Sequence, residues 1–213
     1  MNIKCKSNLN FIILIMASLL FSGSLYTQES SSFSKPITKE ERFAKLESKM
    51  IFPMIKGSKM TGVVPVDFIT NVLSQDTNMK LIFDFTQSTA NNAQGSHVNE
   101  GLEEVARILN LHLAAGLKKD NLKAVVVFHS ASLLSILRDE YYLSKYGNNN
   151  PNKELLTQLI KNGIDLVVCG QSIMLRELSP GDILPGIQFA LSAKTTLSKY
   201  QNDGYILFPI SEN

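Results

Sequence analysis

The chain of 213 residues has no tryptophan, only two cysteines and almost no excess of either charge. Its 21 basic and 19 acidic residues leave a formal net charge of +2, and the excess lies in Lys4 and Lys6, near the start. A neutral chain without basic clusters attracts phosphate backbones weakly, which argues against nucleic acid as a partner. With 44% hydrophobic and 19% charged residues, the composition is that of an ordinary folded protein, which excludes coiled coils, collagen and wholly disordered chains.

Several motifs that define enzyme classes are also absent. No G-x-G-x-x-G follows a predicted strand, and there is no G-x-x-x-x-G-K loop, no G-x-S-x-G elbow and no H-E-x-x-H pair. Dinucleotide enzymes, nucleotide hydrolases, serine esterases and zinc proteases are therefore disfavoured. The chain has no C-x-x-C, which argues against dithiol exchange, and its three histidines are not spaced as zinc ligands. We predict no metal and no other cofactor.

One apolar run, from Phe11 to Phe21, stands near the start of the chain. It follows a lysine-bearing segment and precedes the small residues Ser22, Gly23 and Ser24, an order typical of a secretory signal peptide. The run is well short of the roughly 20 residues that a membrane-spanning helix needs, so we expect no stable membrane insertion. We predict a signal peptide over residues 1–24 and an exported protein, periplasmic or secreted. The alternatives are cleavage a few residues later or retention as a single-pass anchor.

Cleavage at that point changes the cysteine count. It would remove Cys5 and leave Cys169 as the only cysteine of the mature chain. An exported protein usually has paired cysteines or none, so a single free thiol is unusual. No internal disulfide is expected.

The rest of the chain divides into two parts. Over residues 25–78 we predict a lead-in with one helix, capped by Thr38 and running to Met50, and then an irregular arm broken by prolines and glycines. Over residues 79–213 strands and helices alternate, which is the pattern of a parallel sheet covered by helices. The strands are expected at 81–85, 122–128, 164–168, 186–190 and 205–208, the last stopped by Pro209. Helices are expected at 99–116, 131–137, 152–163, 172–176 and 192–203, with a polar excursion at 138–150.

The carboxyl ends of three predicted strands carry polar or reactive groups. The first such residues at the three ends are Asp84, His129 and Cys169. In an open parallel sheet the ligand crevice lies beyond the carboxyl ends of the strands. Cys169 also precedes a predicted helical turn, Ser172 to Arg176, whose dipole and free N–H groups favour a thiolate. Gly170 would let the backbone turn there without obstruction.

Each of these residues has two interpretations. Cys169 is either a reactive thiol or a buried core residue, since free cysteines are often buried. His129 either orients or deprotonates the thiol, or simply bonds to the next loop. Asp84 lies inside an apolar strand, either as a paired structural carboxylate or as a cap for a neighbouring loop. Arg176 either holds an anion near the thiol or is a solvated surface residue.

The segment from Gly163 to Ser172, Gly-Ile-Asp-Leu-Val-Val-Cys-Gly-Gln-Ser, resembles the DsrE/DsrF-like family, in particular its exported branch. The resemblance runs from about Lys80 to Pro209 and includes Asn150-Pro-Asn152 and the strand that ends at His129. Two positions depart from the family pattern. The family often has His-Gly and Arg-Gly where this chain has His129-Ser130 and Arg176-Glu177.

The resemblance implies a three-layer α/β/α fold with a mostly parallel five-stranded sheet, and subunits that form trimers or hexamers. In the sulfur-relay members the cysteine matched by Cys169 carries persulfide sulfur. We therefore expect Cys169 to accept and donate sulfane sulfur, with a sulfur donor or acceptor protein as a partner. His129 would support the thiolate. Asp84, Gly170, Gln171, Ser172 and Arg176 would line the substrate site. The alternative is a non-catalytic exported oligomer that binds a small ligand or a protein in the same crevice.

Overall fold

The computed structural model describes residues 37–88 and 95–212, so the predicted signal peptide lies outside the described residues. Its centre is a sheet of five parallel strands in the order β4-β3-β2-β1-β5. The strands are β1 (Met79–Phe85), β2 (Leu122–Phe128), β3 (Asp165–Cys169), β4 (Gln188–Ala190) and β5 (Ile206–Ile210). The predicted parallel sheet of five strands is thus confirmed.

The described part of the chain contains six α-helices. They are α1 (Lys39–Glu47), α2 (Glu100–Ala114), α3 (Asp139–Tyr146), α4 (Lys153–Lys161), α5 (Gly170–Leu175) and α6 (Ala193–Asn202). Short 3₁₀ segments at Lys59–Thr61, Lys119–Asn121, Ser130–Ile136 and Pro180–Asp182 join them. None of the helices within residues 37–88 and 95–212 is long and apolar enough to cross a membrane.

The two faces of the sheet are covered unequally. Alternate strand residues such as Leu81, Phe83 and Phe85 point into a large core that is closed by apolar residues of α2, α4 and α5. The intervening residues, among them Ile82 and Cys169, form a small second core under α6 alone. The chain is therefore a three-layer α/β protein, as expected, with a thick layer on one side and a single helix on the other.

Three buried asparagines join the loops at the carboxyl edge of the sheet. Asn150 donates to the carbonyls of Ser135 and Leu137 and accepts from the backbone and side-chain amides of Asn152. Asn152 in turn accepts the backbone N–H of Asn99, and the Asn99 side chain caps α2 and bonds the Ser135 hydroxyl. Because every amide in this network has a partner, burying it is not penalised.

Helix α3 was not predicted, since the sequence suggests only a polar excursion at residues 138–150. Its one buried residue is Tyr142, so it shows no apolar stripe that would identify a helix. Tyr142 is fully buried, stacks on Tyr146 and donates its hydroxyl to the Gly95 carbonyl at 2.7 Å. Tyr142 therefore packs within its own domain.

The expectation that Pro209 ends the last strand is wrong, because β5 runs through Pro209 to Ile210. Strand β5 is an edge strand that pairs only with β1. The carbonyl of Ile210 accepts the Thr86 N–H at 2.9 Å, so the backbone groups of Ile210 face β1 and those of Pro209 face outward. A proline at an outward position of an edge strand breaks no ladder hydrogen bond.

The arm that precedes β1 is tied to α2 by one buried side chain. The Asn110 carboxamide accepts the N–H groups of Met54 and Ile55, both at 2.9 Å, and donates to the carbonyls of Ile55 and Thr61. The Ser58 hydroxyl adds a bond to the carboxylate of Glu103, whose pKa is raised by burial. The Asn110 side chain thus supplies the arm with hydrogen bonds that its backbone groups would otherwise make in secondary structure.

Removing the Asn110 side chain is expected to destabilise the folded chain. In Asn110→Ala the Ile55 N–H stays buried without a partner, so we expect the free energy of unfolding to fall by about 1–3 kcal/mol in urea denaturation. Asn149→Ala, at an exposed position whose side chain makes no hydrogen bond with the described residues, is the control and should stay within about 0.5 kcal/mol of wild type. Equal stabilities for the two variants would contradict the anchoring role.

Candidate functional site

Cys169 is the last residue of β3 and directly precedes α5. Only 5% of its surface is exposed, and its side chain points to the face of the sheet that α6 covers. The thiol therefore lies where the carboxyl edge of the sheet meets the beginnings of two helices.

The thiol is surrounded by hydrogen-bond donors. Burial is the largest single influence and raises the pKa of Cys169, but donated hydrogen bonds outweigh it and the pKa is lowered overall. The donors are the Ser172 hydroxyl and the backbone N–H groups of Ser172, Ala193 and Gln171. Gln171 and Ser172 belong to the first turn of α5, and Ala193 is the first residue of α6, so both helix N-termini stabilise the thiolate.

Ser172 links the thiol to the loop that follows β2. Its hydroxyl donates to Cys169 and accepts the Ser130 N–H at 3.1 Å. Arg176 binds the other backbone group of Ser130, because its Nε donates to the Ser130 carbonyl at 2.8 Å. Both backbone groups of Ser130 are thus held by side chains of the segment that follows Cys169.

The two departures from the family pattern retain the backbone shape that glycine would allow. Ser130 has φ +57° and Glu177 has φ +54°, and they are the only non-glycine residues with positive φ in the described part of the chain. Left-handed conformations cost a residue with a side chain about 1–2 kcal/mol. The surrounding bonds, including those that Ser172 and Arg176 make to Ser130, offset that cost.

His129 belongs to a second polar group at the same edge of the sheet. Its Nε2 lies 2.6 Å from Asp84 Oδ1, and its Nδ1 lies 3.2 Å from the Ser130 hydroxyl. Phe128 pairs with Val168 across β2 and β3, so His129, the residue after β2, and Cys169, the last residue of β3, both lie at the carboxyl edge of the sheet. The groups that shift the pKa of the thiol do not include His129. In the structure, therefore, His129 is bonded to Asp84, and the side chain that bonds to the Cys169 thiol is that of Ser172.

The remaining predicted residues support the loop geometry. Gly170 lies so close to β4 that a Cβ there would be 2.9 Å from the Ala190 carbonyl oxygen, which only glycine avoids. The Gln171 N–H, which is the weakest of the influences that lower the pKa of the thiol, also donates to the Leu191 carbonyl at 3.3 Å, and the residue is exposed. Across residues 37–88 and 95–212, no cluster of three or more His, Cys, Asp or Glu residues could hold a metal ion.

Two residues that contribute to the thiol site were not predicted from the sequence. Ser130 entered the sequence analysis only as a departure from the family pattern, although Ser172 and Arg176 both bond to its backbone. Ala193 was not singled out from the sequence, although its N–H helps to lower the pKa of the thiol. Ser192, which caps α6 and accepts from the Thr195 N–H, is the sequence signal that marks where this helix begins.

The fold and the site together define an α/β protein with a single-thiol site at the carboxyl edge of a parallel sheet. The chain belongs to the DsrE/DsrF-like family, which matches residues 79–209 and confirms the family that the sequence motifs indicate. Membership indicates a function of the sulfur-relay type. A solved structure of a protein of unknown function from Methanobacterium thermoautotrophicum is similar, with a TM-score of 0.44 and 14% identity, over 62% of this chain and 98% of that chain. No curated protein matches the chain.

The role of Ser172 is open to a direct test. In Ser172→Ala the thiolate loses a hydrogen-bond donor, so the pKa of Cys169 should rise and the alkylation rate should fall several-fold at any pH below that pKa. The rate of iodoacetamide labelling as a function of pH measures this shift. Ser144→Ala removes a hydroxyl on α3 that donates to the Tyr141 carbonyl; this variant is the control and should keep the wild-type profile. Identical profiles for all three proteins would remove Ser172 from the site.

Proposed function

We propose that this protein is an exported sulfur carrier in which Cys169 holds sulfane sulfur as a persulfide. The observation that carries the proposal is the set of donors around one thiol, namely two helix N-termini and the Ser172 hydroxyl, which together favour the thiolate. A thiolate is the nucleophilic form of cysteine. Membership of the DsrE/DsrF-like family supports the same chemistry at the end of the same strand.

The transfer step needs one thiolate and one sulfane donor. The Cys169 thiolate attacks the terminal sulfane sulfur of an inorganic polysulfide, a new S–S bond forms, and the S–S bond inside the donor breaks. The electron pair leaves on the shortened polysulfide, which takes up a proton from water or from a nearby acid. His129, at the neighbouring strand position, is the group placed to handle that proton, and Asp84 holds its ring.

The other substrate-site residues act around this step. Ser172 stabilises the thiolate before attack, while Gly170 and Gln171 present the first turn of α5 to the sulfur. Arg176 keeps the Ser130 loop closed and brings a positive charge to the approach path of an anionic donor. We infer that the transfer partner is a sulfur donor or acceptor protein, with a homo-oligomer, a trimer or a hexamer, as the working assembly.

A second function is favoured by the burial of the thiol. At 5% exposure, Cys169 also fits a packing residue of a non-catalytic oligomer that binds a ligand or protein in the same crevice. The accessibility of the thiol separates the two functions. A native Cys169 that resists small alkylating reagents would favour the binding module.

The persulfide itself is the sharpest test of the carrier. The chain has no other cysteine beyond Cys5, so no resolving thiol in the mature protein would convert the persulfide into an internal disulfide. Reduced protein incubated with polysulfide should gain the mass of one sulfur atom and lose it again with dithiothreitol. Cys169→Ser should gain nothing. The same mass gain in wild type and Cys169→Ser would place the sulfur elsewhere and leave the binding module as the function.

Export is tested by the N-terminus of the protein taken from its native cell. We expect a mature start between Leu25 and Gln28, since the small residues Ser22 to Ser24 precede that point. N-terminal sequencing of the periplasmic or secreted fraction provides the measurement. A chain that starts at Met1 in the cytosolic fraction would contradict export.

A further inference from the structure

The two central strands of the sheet begin with the same short pattern, an asparagine, an apolar residue and a lysine. These two Asn-x-Lys segments are residues 78–80, at the start of β1, and residues 121–123, at the start of β2. The register of the sheet aligns them, because Lys80 pairs with Lys123. The lysines precede Ile82 and Val125 of the second core by two positions, so both lie on the face of the sheet that carries α6.

A cavity of about 400 Å³ lies between the two Asn-x-Lys segments. Its lining consists of residues from these segments alone, namely Asn78, Met79, Lys80, Asn121 and Lys123. Pockets that hold small molecules have volumes of roughly 300–1,000 Å³. The Asn121 carboxamide also donates to the Gln75 carbonyl at 2.9 Å, which ties the end of the arm to the rim of the cavity. Two ammonium groups and no carboxylate line the space, so its chemistry suits an anion.

Lys80 is held in place by the end of α6 and keeps its positive charge. Its Nζ donates to the Asp203 carbonyl at 3.0 Å and lies 5.7 Å from the centre of the Tyr205 ring. The Asp203 carboxylate is paired with Lys199 instead, at 2.9 Å. Both partners of Lys80 are therefore uncharged groups. An ammonium group has three N–H donors, so Lys80 retains donors for a ligand.

Lys123 carries a charge that the described residues do not balance. It is exposed, and neither it nor Lys80 forms an ion pair within residues 37–88 and 95–212. Asp120 forms no ion pair in those ranges either, and the Asp165 carboxylate on β3 accepts from Gln188. Like charges at paired positions of neighbouring strands repel each other. An anion between the two ammonium groups would remove this repulsion.

We propose that the two Asn-x-Lys segments form a binding site for a doubly charged tetrahedral oxyanion, namely a phosphate group. Neighbouring strands lie about 4.8 Å apart, so ammonium groups at paired positions reach two oxygens of one tetrahedral group. A carboxylate would offset the charge of one lysine, whereas a dianion offsets both. The cavity lies at the amino ends of the strands and Cys169 at the carboxyl end of β3, so this site is separate from the thiol. It holds whether or not Cys169 carries sulfur.

Calorimetric titration of the complete chain with inorganic phosphate tests the site, with ionic strength held constant by sodium chloride. Wild type should bind one phosphate ion per chain. Lys123→Gln removes one of the two charges and should bind phosphate at least about tenfold more weakly. Lys45→Gln is the control, because Lys45 is exposed on α1 and forms no ion pair with the described residues, and it should keep the wild-type affinity. No binding by wild type, an unchanged affinity in Lys123→Gln, or an equal loss in both variants would each overturn the proposal.

Thermal unfolding separates loss of the site from loss of the fold. Without phosphate, Lys123→Gln should melt at or above the wild-type temperature, because the repulsion with Lys80 is gone. Phosphate should raise the melting temperature of wild type and of Lys45→Gln, but not that of Lys123→Gln. A lower melting temperature for Lys123→Gln in the absence of phosphate would overturn the unbalanced charge on which the site depends.

A second titration identifies the source of the phosphate group. Glycerol phosphate replaces inorganic phosphate under the same conditions. Tighter binding of the ester would support the site and identify its ligand as a small phosphomonoester, whereas tighter binding of the free ion would support the site and identify inorganic phosphate. Binding of the ester that Lys123→Gln leaves unchanged would overturn the proposal.

Discussion

The buried amides of Asn99, Asn150 and Asn152 hold the carboxyl edge of the sheet together, and the site depends on them. They connect the start of α2, the 3₁₀ segment after β2 and the start of α4 through fully satisfied hydrogen bonds. The 3₁₀ segment is thereby fixed at its far end, while Ser172 and Arg176 fix its beginning at Ser130. A loop held at both ends by buried or charged groups has few alternative conformations, so the thiol environment is set before any ligand arrives.

The two left-handed residues show how the loops keep their shape without glycine. Ser130 and Glu177 each adopt a conformation that costs free energy, and they lie in the loops that follow β2 and α5. Such strain persists where neighbouring contacts determine the backbone from several sides. At Ser130 those contacts are the same bonds that organise the thiol, so strain and site organisation have one cause.

The sequence predicted the parts of the molecule whose physical cause is local. Apolar strands and amphipathic helices such as α2 and α4 carry their periodicity in the chain, and the strand-end rule brought Asp84, His129 and Cys169 to one edge. Long-range contacts were missed. Helix α3 buries only Tyr142, Asn110 bonds to residues more than 45 positions away, and Pro209 is tolerated only because β5 is an edge strand. The pairing of His129 with Asp84 could be recognised only in the structure. The positions of strand ends indicate which side chains are near one another, but not which of them form hydrogen bonds.

Covering one face of the sheet with a single helix couples two properties of Cys169 that are usually independent. Helix α6 both shields the thiol and donates the Ala193 N–H that helps to lower its pKa. Local opening of a lightly packed helix costs less than global unfolding, and here it would expose the sulfur and remove a stabilising donor in one motion. Opening of α6 would therefore make the sulfur accessible and raise its pKa together, whereas in the described structure the thiol is covered and its pKa is lowered.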